Sequence, residues 1–125
     1  LIEVGVQLHS RIETAEFIVN ALPDLFELLG GLPTHITEAS CFVRDEFENN
    51  ATEFYRRTLE ISDAGGAISY TPWWLFKTDP NKPPMPPYPY GTATGLFPAL
   101  NEGLELQAVL ANPLPGWQYF EPYLG

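Results

Sequence analysis

Apolar residues in the first part of the chain recur every three or four positions: Ile12, Ala15, Ile18, Val19, Leu22, Leu25, Phe26 and Leu29 share one face and predict a helix over about 10–30. Ser10-Arg11-Ile12-Glu13 has the spacing of a capping box, and Gly30-Gly31 followed by Pro33 supplies a left-handed stop. Pro23 lies inside the pattern. It predicts a kink or break near Leu22, with a short second helix over 23–29. Residues 1–8 alternate loosely and suit a short strand or an extended arm.

Residues 34–37 read as a loop. Cys41-Phe42-Val43 fits a buried strand, but Val43 and Phe47 also fit the opening of a helix, and the helix is preferred. Asn50 and Glu53 repeat the cap-and-partner spacing, and Ala51, Phe54, Tyr55, Leu59 and Ile61 form a stripe that ends at Gly65-Gly66. A helix within 40–63 follows.

Beyond Gly66 the pattern changes. Ala67 to Phe76 alternate, with Ile68, Tyr70, Trp74 and Phe76 on one side and Ser69, Thr71 and Trp73 on the other; Pro72 restricts such a strand to an edge or to no sheet. Eleven of the thirteen prolines fall from Pro72 onward, and Pro83 to Pro89 predict an extended polyproline segment from which Tyr88 and Tyr90 project. Pro98 can open a helix over 98–111 aligned on Leu100, Leu104, Ala108 and Ala111. A rival alternation of Leu104, Leu106, Ala108 and Leu110 is outweighed by the helix-forming composition. The tail again mixes prolines with rings, Trp117 and Tyr119 among them.

The predicted fold is therefore mainly α with long extended proline- and aromatic-rich segments, or α+β with one short edge strand or hairpin. Residues 1–66 would be a helical half and 67–125 an extended half holding the 98–111 helix. Length fits a single domain or a fragment of a larger one; the chain starts at Leu1 and its one methionine is Met85, which points to a processed product or a piece of a longer protein.

Charge narrows the partners. With 16 acidic and 6 basic residues, a net charge of -10 disfavours direct nucleic-acid binding, which depends on Lys and Arg displacing counterions. No apolar run approaches the length of a membrane span. Cys41 is the single cysteine, so no intrachain disulfide forms, and its neighbours Phe42 and Val43 predict a packed thiol rather than a nucleophile.

Chemical signals are sparse. His9 and His35 are the two histidines, and with Glu13 or Glu38 they could ligate a metal, but no ligand spacing supports it and no cofactor or metal site is assigned. The Asp45, Glu46, Glu48 and Glu53 cluster reads as a solvated face, and Asn50-Ala51-Thr52 as a helix cap rather than a glycosylation site. No catalytic residue is assigned. Aromatic residues reach 14% against 18% charged, so contact with other protein chains, in a homo- or hetero-oligomer, is the expected use of Trp73, Trp74, Tyr88, Tyr90, Trp117 and Tyr119. The expected function is a non-enzymatic structural or interaction role in a larger assembly, a segment of a helical viral capsid protein being one form. The alternative is a small-molecule-binding protein or small enzyme whose ring-lined pocket uses His9, His35 and carboxylates.

Overall fold

The computed structural model describes residues 2–11, 13–42, 48–73, 75–76, 95–100 and 105–124. The chain runs β1 (Val4–Arg11), α1 (Ala15–Leu29), β2 (Thr34–Phe42), α2 (Glu48–Ala64) and β3 (Ser69–Pro72), then a short α3 (Leu106–Leu110) and two 3-10 turns, Pro115–Tyr119 and Glu121–Leu124. The three strands form one parallel sheet in the order β1-β2-β3. Each strand is thus joined to its neighbour by a helical crossover, as parallel pairing demands. This is an α/β fold, which corrects the mainly α expectation.

The correction has a physical source. Ser10 and Arg11 belong to β1, so the expected capping box at 10–13 does not form, and α1 begins at Ala15. The expected loop at 34–37 and the first residues of the expected 40–63 helix together make β2, and Asn50 lies inside α2 instead of capping it. Residues 1–66 are accordingly a β-α-β-α unit rather than a helical half. Of the helix expected over 98–111, Leu106–Leu110 are helical, residues 98–100 and 105 are not, and 101–104 lie outside the described residues. Most of the proline strap of 70–91, with Trp74, Tyr88 and Tyr90, lies outside the described residues.

Pro23 does not break α1. Val19 and Leu22 are buried and Ile18, Leu25 and Phe26 pack beside them, so the core face is continuous, while Pro23 is exposed on the outer side, where its missing N–H costs least. Packing of that face overrides the local penalty. Gly30, at φ 59°, ends the helix as expected, its N–H donating to the carbonyls of Phe26 and Glu27. Gly65, just past α2, lies against the Phe26 ring, where an added Cβ would come within 2.6 Å of it. The two helices share one layer. Glu16 on α1 and Arg57 on α2 tie them together at 2.6 Å.

The core lies between this helix layer and one sheet face. Leu8, Ile36, Ala39 and Cys41 from the strands meet Val19, Leu22, Phe54, Tyr55 and Leu59 from the helices, and Leu96, Phe97, Val109 and Phe120 close its end. Tyr70 and Thr58 fill the same layer with a buried hydrogen bond of 2.7 Å, and Thr58 also donates to the Phe54 carbonyl. β3 stands at the sheet's edge, where Pro72 is tolerated. The opposite sheet face carries Gln7, His9 and Arg11, and among the described residues no helix packs on it. Parallel sheets ordinarily have both faces covered, so this polar face is the unusual one.

Candidate active site

Alternation along β1 sends Val4, Val6, Leu8 and Ser10 to the helix layer and Gly5, Gln7, His9 and Arg11 to the polar face. β2 cannot follow a single alternation. Thr34 and Ile36 point to the core, yet so do Ala39 and Cys41, and the phase changes between them at a bulge: Val6 pairs with Ile36 and Gln7 with Glu38, leaving Thr37 extra. β2 also carries one extra residue against β3, where Ile36 pairs with Tyr70 and Ala39 with Pro72. Thr37 therefore sits beside Glu38 on the polar face, its methyl against Gly5 and its hydroxyl donating to the Val6 carbonyl at 3.3 Å. Bulges re-aim side chains next to functional sites, and this one turns a carboxylate away from the core.

Glu38 meets His9 there. Glu38 Oε2 is 2.6 Å from His9 Nε2, and His9 Nδ1 is 2.7 Å from Ser40 Oγ. Ser40 is fully buried beneath the ring, while His9 and Glu38 keep about a third of their side chains exposed, at 32% and 31%. In a neutral imidazole one nitrogen donates and the other accepts. Glu38 is an acceptor when ionised, so Nε2 carries the proton and the Ser40 hydroxyl donates to Nδ1. Ser40 fixes the tautomer that His9 offers to Glu38.

Serine, histidine and glutamate together have the composition of a nucleophilic triad. Ser40 has no exposed surface to meet a substrate, and the only partly exposed oxygen atoms in the group belong to Glu38. The reactive end of this chain of contacts is the carboxylate.

Trp73 follows β3 directly. Its backbone N–H donates to the Ala39 carbonyl at 2.7 Å, its own carbonyl accepts from Tyr55 Oη at 2.9 Å, and its ring stands edge-on to His9 with centroids 6.5 Å apart. At 36% exposure it offers a ring beside His9. Burial pushes the Tyr55 hydroxyl well above its ordinary pKa, so it stays a donor at any physiological pH.

The other candidates are elsewhere. His35, at the start of β2, contacts Ser69 Oγ at 2.8 Å and Glu3 at 3.5 Å. His35 pairs with Gly5, four strand positions from His9, roughly 13 Å, so the two histidines share no site. Among the described residues no three His, Cys, Asp or Glu side chains converge as metal ligands. Cys41 points into the core, where burial raises its thiol pKa and keeps it inert. Trp117 packs on Phe97 at 4.9 Å, and Tyr119 is half-buried against the same core. In the sequence Ser40 sits in no nucleophile-elbow pattern and is set aside on that ground, and Glu38 is weighed only as a metal ligand. The signal that could have found both is the shift of apolar positions from Thr34 and Ile36 to Ala39 and Cys41.

No protein-family profile matches the chain, and no curated protein matches it. Among solved structures the fold is similar to the catalytic core of a xylanase A, with 17% identity and a TM-score of 0.57, covering 98% of this chain and 40% of that one. It is also similar to a GH10 endoxylanase retrieved from a sugarcane soil metagenome, with 18% identity and a TM-score of 0.59, covering 96% of this chain and 38% of that one. At this identity the likeness concerns the fold. The chain spans about 40% of the length of these structures.

Proposed function

We propose that this chain forms part of the substrate cleft of a β/α-barrel glycoside hydrolase acting on a xylan-type polysaccharide, with Glu38 as the carboxylate that faces the anomeric carbon. The observation that carries the proposal is the bulge at Thr37, which brings Glu38 onto the polar face beside His9 and Trp73. In β/α barrels the chemistry is carried at the C-terminal side of the parallel strands; Glu38 lies at the middle of β2, His9 in the C-terminal half of β1 and Trp73 just past β3. The fold likeness to two xylanases supports the choice of substrate class.

Glycoside hydrolysis uses two carboxyl groups with different protonation states. Glu38 accepts a hydrogen bond from His9 Nε2 at 2.6 Å, which holds the carboxylate in one orientation, as the nucleophile or charge stabiliser requires. Glu38 Oε1 would bond to the anomeric carbon as the glycosidic C–O bond breaks. A second carboxyl group, in this reading carried by barrel elements other than β1–β3, gives its proton to the departing oxygen. Water then attacks the anomeric carbon, returns a proton to that second group and frees Glu38. Trp73 would hold the apolar face of a sugar ring.

No observation favours the capsid or scaffold role weighed from the sequence, and Trp117 and Tyr119, counted there as contact residues, pack against this chain's own core. The test is hydrolysis of xylan and of aryl β-xylosides by the protein and its Glu38→Ala variant. Turnover should fall by on the order of 10⁴-fold. Azide should restore aryl xyloside cleavage and give a glycosyl azide of inverted configuration, because it enters from the side Glu38 occupied. An active Glu38→Ala variant, or a wild-type protein that neither cleaves nor binds xylo-oligosaccharides, would overturn the proposal.

A further inference from the structure

We infer that Arg11 is a specificity-determining residue for anionic substituents, recognising the carboxylate of a uronic acid side group on the polysaccharide. The inference rests on the glycan reading above and adds the chemical class of the decorated substrate. Arg11 closes β1 two residues beyond His9, on the same polar face, paired with Phe42 at the C-terminal end of β2. Glu38 pairs with Gln7, so Arg11 lies four strand positions further toward the mouth of the cleft, about 13 Å. That puts the Arg11 backbone beyond the sugar Glu38 would attack, with a side chain long enough to meet a substituent on the neighbouring sugar.

Its backbone is held at the rim. Thr14 Oγ1 accepts from the Arg11 N–H at 3.0 Å, and the Thr14 N–H donates to the Arg11 carbonyl at 3.0 Å. The side chain has no such restraint. Arg56 is clamped between Glu53 and Glu60 and Arg57 is bound to Glu16, all on the helix layer; among the described residues Arg11 is the arginine with no carboxylate partner. A chain of net charge -10 repels an anionic polymer as a whole, so a cation on the cleft face changes the local field where it matters. A guanidinium matches a carboxylate with two parallel hydrogen bonds, which neutral hydroxyls of an undecorated chain do not reproduce.

The test compares kcat/KM on a linear neutral xylo-oligosaccharide with that on the same oligosaccharide carrying one glucuronate, for wild type, Arg11→Gln and Arg11→Lys. Arg11→Gln should lower the value on the decorated substrate roughly three- to tenfold and leave the neutral one within twofold. Arg11→Lys should recover part of the loss, since it keeps the charge without the fork. The wild-type preference should shrink with added salt. Calorimetric binding of both oligosaccharides to a Glu38→Gln background gives the same comparison without turnover. Equal losses on both substrates, or an unchanged ratio, would overturn the role of Arg11 while leaving the hydrolase reading intact. Absence of binding and turnover on either substrate would overturn both.

Discussion

Thr37 and Glu38 are consecutive in β2, and both lie on the polar face of the sheet because Thr37 has no partner in β1. Strict alternation from Ile36 would have sent Glu38 to the core and Ala39 to the open face. Gly5 makes room for this arrangement: a Cβ there would stand 3.2 Å from the Thr37 methyl. Gly5→Ala should therefore destabilise the fold by about 1 kcal/mol through overpacking. In a Thr37→Ser background, which removes that methyl, the same substitution should cost much less. A double-mutant cycle by urea denaturation checks the coupling, and additive effects would show that the two positions do not meet.

The buried Ser40 hydroxyl acts on Glu38 through the ring of His9. Ser40→Ala leaves Nδ1 without its donor and frees the imidazole to adopt the other tautomer, in which Nε2 cannot donate to Glu38. The expected outcome is a mixed tautomer population for His9 in ¹⁵N ring spectra, and a stability loss of about 1 kcal/mol. Ser40→Thr, which restores the hydroxyl if its methyl is accommodated, should return the single tautomer. A single Nε2–H tautomer in Ser40→Ala would show that Glu38 alone orients the ring.

These contacts also show what was legible in the sequence. The helical faces of α1 and α2 were, because Val19, Leu22, Phe54 and Leu59 recur at helical spacing whatever they pack against. The Gly30 stop was legible for the same local reason. β2 was not: it contains no clean period of two, since the extra Thr37 splits it into two short alternating runs, each too brief to be distinguished from a loop. Ser10-x-x-Glu13 misled because a capping box is a local pattern, and here β1 continues through Ser10 to pair with Cys41. With β2 unread, the meeting of His9 and Glu38, 29 residues apart, had no basis in the sequence.

The Glu16–Arg57 pair gives the fold an acid-sensitive contact between α1 and α2. Hydrogen bonding and charge from Arg57 hold the Glu16 carboxyl below its ordinary pKa. A lowered folded-state pKa contributes stability that is complete above the unfolded value, ~4.3, and is lost as pH falls through the folded value. The pair is exposed, so its effect is small and weakens with salt. Comparing wild type with Arg57→Gln, the difference in Tm should be largest between pH 6 and 8 and vanish at about pH 2–3. A difference that persists at low pH would assign the effect to packing of the arginine stem instead.

Tyr55 links the core to the face that Trp73 presents. Its ring packs edge-on against Phe120 with centroids 5.8 Å apart, and its hydroxyl, through the Trp73 carbonyl, fixes where the chain turns at the end of β3. Tyr55→Phe keeps the ring contact and removes one buried hydrogen bond, leaving the Trp73 carbonyl without that donor, at a cost of about 1–2 kcal/mol. If Trp73 is a sugar platform, its looser backbone should also weaken xylo-oligosaccharide binding several-fold, whereas Thr58→Ser, which retains the hydroxyl bonded to Tyr70, should leave binding unchanged. Tryptophan fluorescence and binding titrations on the two variants separate these effects. Equal binding by Tyr55→Phe and wild type would mean that the Ala39 carbonyl, which accepts from the Trp73 N–H at 2.7 Å, positions the ring on its own.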